Sequence, residues 1–235
     1  MKKTIKSLLI LLLVGSMMLA LTGCGDKKTA RKSDEKEFVE TKQETNVIVE
    51  EKQETNVVET AKPEFSMGKW NGNAYTNDFL GLKFNLPQGW TALSDAEIAQ
   101  MMNVGAELLN DDQKALAQMA ELTAVYYMVA KNPNTGNNVT IYSEKQFTEV
   151  SAESYIEALK TQLSAVQSIN YEVTESSKEN VSGIECNTLT LNANMSGVKM
   201  IQKYYIYKID KYIIGIIATS TNGETGINEI ASCFK

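Results

Sequence analysis

Tyr212 Ile213 Ile214 Gly215 Ile216 Ile217 Ala218 has no charged residue and no strong polar alternation. Successive strand residues point to opposite faces, so a strand built from this run has no wet side. Such a strand belongs in the middle of a sheet covered above and below. The segments before it supply neighbours. Lys199 to Ile209 reaches it through a tight corner at Asp210 and Lys211, Ile184 to Ala193 precedes that across Asn194 to Gly197, and Tyr171 to Glu175 lies before Asn180 to Gly183. Four strands joined by short polar turns predict an antiparallel meander. Beyond it, residues 225–235 predict a closing helix with Ile227, Ile230 and Phe234 turned toward the sheet.

Upstream, Ser151 stands where an N-cap belongs, and Tyr155, Ile156, Leu159, Leu163 and Val166 follow on one helical stripe. Ala124 to Ala130 and Val139 to Tyr142 flank the turn-forming Asn132 Pro133 Asn134 Thr135 Gly136 Asn137, which predicts a hairpin. Ser94 with Glu97 has the form of a capping box, so a helix starts at Asp95 and buries Ile98, Met101 and Met102. Asn110 and Asp111 interrupt it, and a second helical stretch carries Leu116, Met119 and Leu122. Ala74 to Asn77 and Leu80 to Leu86 are short β-prone runs stopped by Pro87 and Gly89. Together, residues 66–235 read as one α+β domain with enough apolar residues for its own core.

The stretch Tyr75 Thr76 Asn77 Asp78 Phe79 Leu80 Gly81 Leu82 Lys83 Phe84 Asn85 Leu86 Pro87 Gln88 Gly89 Trp90 is similar to the start of PsbP-like domains in bacterial lipoproteins. The later order of a Tyr-bearing helix, a Tyr-rich strand, an Ile-rich strand and a final helix also resembles that group, over about residues 70–235. The resemblance implies an α/β/α sandwich around an antiparallel sheet, used as a binding or assembly module. It implies no shared chemistry, since fold does not fix function.

The first residues speak to location. Lys2, Lys3 and Lys6 precede the apolar Leu8 to Leu21, which is too short for the roughly 20 residues of a spanning helix and has the form of a signal peptide. Leu21 Thr22 Gly23 Cys24 resembles the bacterial lipoprotein lipobox, which implies cleavage after residue 23 and a diacylglycerol on Cys24. Two acyl chains suffice for stable attachment to the extracytoplasmic face of the cell membrane. Residues 24–65 follow as a polar segment with a period-ten repeat, Glu40 to Val47 and Glu50 to Val57. That composition predicts a disordered tether of roughly 35 Å r.m.s. reach. Removing residues 1–23 deletes three lysines and no acids, taking the net charge from −6 to −9. A chain so acidic has no nucleic-acid footprint.

The sequence contains no histidine, the usual general base near neutral pH and the commonest metal ligand. It also has no Gly-framed serine and no phosphate-cradling glycine loop. No catalytic residue, metal site or cofactor is called for. Asp111 and Asp112 lack the alternating ligand pattern of a calcium loop and read as a helix break. Cys186, on a strand, and Cys233, on the closing helix, can meet across the sheet; the alternatives are a disulfide of about 3–4 kcal/mol and two buried thiols. Tyr205 and Tyr207 share a strand face with Lys203 and Ile209, a mixture that suits either an exposed ligand or partner surface or a helix-covered one. The expected function is a non-enzymatic envelope module that binds a partner protein or small ligand. The alternative is a histidine-free hydrolase or transferase of the cell envelope.

Overall fold

A computed structural model describes residues 64–107, 124–166 and 169–235. Leu108, Leu109, Asn110, Asp111, Asp112, Leu116, Met119 and Leu122 lie outside the described residues, as do the leader, Cys24 and the polar repeat. The strands are β1 (Lys69–Asn71), β2 (Ala74–Asn77), β3 (Leu82–Asn85), β4 (Thr91–Ala92), β5 (Ala124–Lys131), β6 (Asn138–Lys145), β7 (Asn170–Val181), β8 (Ile184–Met195), β9 (Val198–Ile209) and β10 (Tyr212–Ser220). The helices are α1 (Asp95–Glu107), α2 (Ala152–Leu163) and α3 (Gly223–Ala231).

Seven strands form one antiparallel sheet in the order β4-β5-β6-β10-β9-β8-β7, with β10 at its centre as its two apolar faces require. The meander β7 to β10 turns on two-residue loops. Ser182 and Gly183 both have positive φ (53° and 82°), as do Ser196 and Gly197 (52° and 87°), the backbone a tight hairpin needs to match strand twist. Asn180 and Asn194 brace these corners by accepting from the Gly183 and Gly197 amides through their Oδ1 atoms.

Alternation along β10 divides the core. Ile213 and Ile217 face α1 and α2 together with Tyr142, Tyr155, Leu159 and Tyr204. Ile214, Ile216 and Ala218 face the opposite way, toward Phe79, Leu80, Phe84, Tyr205, Tyr207 and α3. The capping box forms at α1, where the Ser94 amide donates to Glu97 Oε2 and the Glu97 amide to Ser94 Oγ. The Ser154 amide donates to Ser151 Oγ at the start of α2.

The fold is α+β with an antiparallel sheet covered on both sides, as expected, but its second cover is not helix alone. The small sheet β1-β2-β3 shares that face with α3. The closing helix stops at Ala231, and Phe234 then pairs with Phe84 of β3. Strand β7 runs six residues past the expected Glu175 because its polar stretch lies on the exposed edge, held by β8 rather than by burial.

Candidate functional site

Gly215 decides what the first face can hold. A Cβ there would stand 2.1 Å from the ring of Tyr142, so the missing side chain is the space the ring occupies. Tyr142 and Tyr155 meet hydroxyl to hydroxyl at 3.2 Å, and Tyr155 donates to Glu144 Oε2 at 3.0 Å. Glu144 is only 4% exposed. Burial disfavours its charged form and pushes its carboxyl up to about 7, against the pull of the Tyr155 hydrogen bond. Burial likewise holds the Tyr142 and Tyr155 hydroxyls protonated, well above the usual tyrosine range. These three side chains are buried between sheet and helix.

On the second face, Tyr205 and Tyr207 are 3% and 5% exposed. That corrects the reading of an exposed ligand or partner surface: the face is the covered one, and Tyr207 donates its hydroxyl to the Leu80 carbonyl at 2.9 Å. Tyr205 lies beside Lys203, whose Nζ is 5.6 Å from the ring centroid and pairs with Glu179. Cys186 and Cys233 are free thiols. Cys186 is fully buried, and desolvation pushes its thiol up to about 12; Cys233 is partly exposed and donates to the Glu229 carbonyl.

A cleft of about 420 Å³ opens where the ends of β7, β8 and β9 approach the start of α3. Asn170, Glu172, Asn192 and Lys199 line it from the strands, and Thr221 and Gly223 form its wall at the start of α3. That wall is fixed from outside the cleft. The Thr221 amide donates to Asn137 Oδ1 at 3.0 Å, and Thr221 Oγ1 donates to the Thr135 carbonyl at 2.7 Å, tying it to the β5–β6 loop. Helix α3 sits close on the end of β10, because Gly226 leaves no Cβ to strike Ser220 Oγ, 2.1 Å from where that atom would be.

The cleft offers donors and acceptors to a polar molecule. It has one carboxylate, where glycoside hydrolysis uses two. The spacing Ser196 Gly197 Val198 Lys199 matches the Ser-x-x-Lys of some acylating enzymes. Here it spans the β8–β9 turn, with Ser196 at positive φ and not among the residues lining the cleft. No three His, Cys, Asp or Glu side chains gather as a metal site among the described residues. No described helix is long and apolar enough to cross a membrane.

The sequence reading missed both Glu144 and the cleft. Glu144 was legible in principle, since it continues the every-second-residue register of Asn138, Thr140 and Tyr142. The cleft residues carry no pattern of their own and come together only through the strand ends.

No family model matches the chain, and neither does any curated protein sequence. Solved structures do. Cyanobacterial PsbP (CyanoP) from Synechocystis is similar over 72% of this chain and 97% of its own, at 10% identity and a TM-score of 0.44. LpqN of Mycobacterium tuberculosis, described as involved in cell envelope biogenesis, is similar over 66% of this chain and 82% of its own, at 10% identity and a TM-score of 0.38.

Proposed function

We propose that this chain is a lipid-anchored module on the extracytoplasmic face of a bacterial membrane, binding a polar small ligand or a segment of an envelope protein without chemical turnover. Cys24 would carry the lipid, and the polar chain that follows would space the domain from its anchor. The observation that supports binding over catalysis is the separation of reactive from accessible groups. Glu144, Tyr142, Tyr155 and Cys186, whose proton affinity burial raises, are enclosed in the core, while the open cleft is lined by amides, Glu172 and Lys199. A catalytic site needs its perturbed groups within reach of substrate.

The test is crosslinked affinity capture from intact cells, comparing the wild type with Cys24→Ala and with Asn192→Leu. The Cys24→Ala chain is expected to leave the membrane fraction. A partner or ligand captured by the wild type and lost with Asn192→Leu supports cleft binding. Equal capture by both chains overturns it.

A further inference from the structure

A contiguous exposed apolar patch marks an interaction surface, whereas single exposed apolar side chains are ordinary. Among the described residues five large apolar side chains are exposed: Phe65 (49%), Met67 (50%), Trp70 (38%), Phe147 (75%) and Val173 (45%). Val173 stands apart on the edge strand β7, whereas the other four are linked through shared neighbours. The Phe65 ring lies 5.4 Å from Phe79 and 6.1 Å from Tyr212. The Trp70 ring is 5.4 Å from Tyr75, whose hydroxyl donates to the Met67 carbonyl. Tyr212 is the register partner of Lys145, whose Nζ sits 6.0 Å from the Phe147 ring.

We propose that this surface rests on the lipid bilayer, with Phe65, Met67, Trp70 and Phe147 entering the interfacial layer. The inference rests on the anchored reading above. Two observations select a bilayer over other occupants. The patch adjoins residue 64, where the chain arrives from residues 1–63, so the segment leading from an acylated Cys24 would enter the domain at this surface. Only 40 residues separate Cys24 from Phe65, so an anchored domain would stay near lipid and weak insertion suffices. The flanking charges are mixed, Lys69, Lys145 and Lys211 against Glu64, Asp78 and Asp210, although the chain without residues 1–23 is at −9. This surface is therefore not repelled as the rest of an acidic protein is. Aromatic rings and a thioether flanked by lysines are the composition of an interfacial contact.

The test uses the acylated chain reconstituted in phosphatidylcholine vesicles with plain or brominated acyl chains. The chain has two tryptophans, and a Trp70→Phe variant reports the share of Trp90. The expected result is a blue-shifted Trp70 emission that brominated chains quench and that Phe65→Ser with Phe147→Ser restores. Equal Trp70 emission in the two kinds of vesicle overturns the inference. Concentration-dependent self-association without quenching also overturns it and gives the patch to a second copy. Intact mass reports acylation of Cys24 separately. If the acyl groups are absent, the anchored reading fails alone, and the unacylated chain titrated with the same vesicles decides insertion by the same quenching.

Discussion

The two faces of the seven-stranded sheet are drawn from the same strands yet spend their polar groups differently. The face under α1 and α2 buries a carboxylate and satisfies it with a tyrosine that itself meets a second tyrosine. The face under the small sheet and α3 ends its tyrosine at a neutral backbone carbonyl, Tyr207 to Leu80. Alternation makes this possible, because neighbours such as Tyr204 and Tyr205 serve opposite cores. The lesson is that titration near neutral pH is concentrated on one face, while exposed aromatic rings adjoin the other.

The largest break in that comparison comes from filling the space under Tyr142. Gly215→Ala places a methyl group inside its ring and is expected to cost 3 kcal/mol or more, since overpacking a sealed core forces both backbone and ring to shift. Urea denaturation measures it, and Tyr142→Leu in the same chain should recover much of the loss. Gly183→Ala meets no atom and strains only a hairpin backbone, so about 1 kcal/mol is expected there. Equal losses at the two glycines would mean that the Tyr142 ring has room to move.

Glu144 gives the next effect, with a defined sign. Its folded pKa is raised to about 7 from an ordinary 4.5, so the native state binds the proton more tightly than the unfolded chain. Stability is therefore full below about pH 4.5 and falls as pH rises through 7, by a total on the order of 3 kcal/mol. Glu144→Gln should flatten this slope in denaturation midpoints taken from pH 5 to 8, whereas Glu172→Gln should leave it intact. An unchanged slope in Glu144→Gln would place the titrating group elsewhere.

How much of this was legible in the sequence follows from what made each residue visible. The start of α1 could be read because Ser94 and Glu97 satisfy each other locally, and β10 because it is apolar on both faces. Segments whose position is set by partners left no such mark. Strand β7 looks like a polar loop beyond Glu175, yet β8 pairs with it to Val181. Ser143 Glu144 Lys145 looked like the end of a strand, whereas β6 continues through it and carries Glu144 inward. A polar residue buried by the far side of the molecule looks in sequence like one left in water. The cleft was hidden for the same reason, being made from strand ends that meet only after the sheet has formed.

Thiol chemistry sharpens the contrast between the centre of the second face and its margin. Cys186 is buried beneath its cover with its thiol pushed up to about 12, and Cys233 is partly exposed where α3 gives way to the final residues. A maleimide applied to the native Cys24→Ala chain should label Cys233 first and Cys186 only on unfolding. Protection of both thiols that reduction abolishes would instead reveal a disulfide between them.

The smallest expected effects separate the two tyrosine endings. Tyr155→Phe removes the donor to a buried carboxylate and should cost about 1–3 kcal/mol, more at pH 8 than at pH 5 because the charged form suffers most. Tyr207→Phe removes a donor from the Leu80 carbonyl and should cost only about 1 kcal/mol, with no pH dependence. Urea midpoints at the two pH values decide between them. The pH term is the informative part, because a loss of packing lowers stability equally at both values. A pH-dependent loss in Tyr207→Phe would mean that the second face also buries a group titrating between pH 5 and 8, and the contrast between the faces would fail.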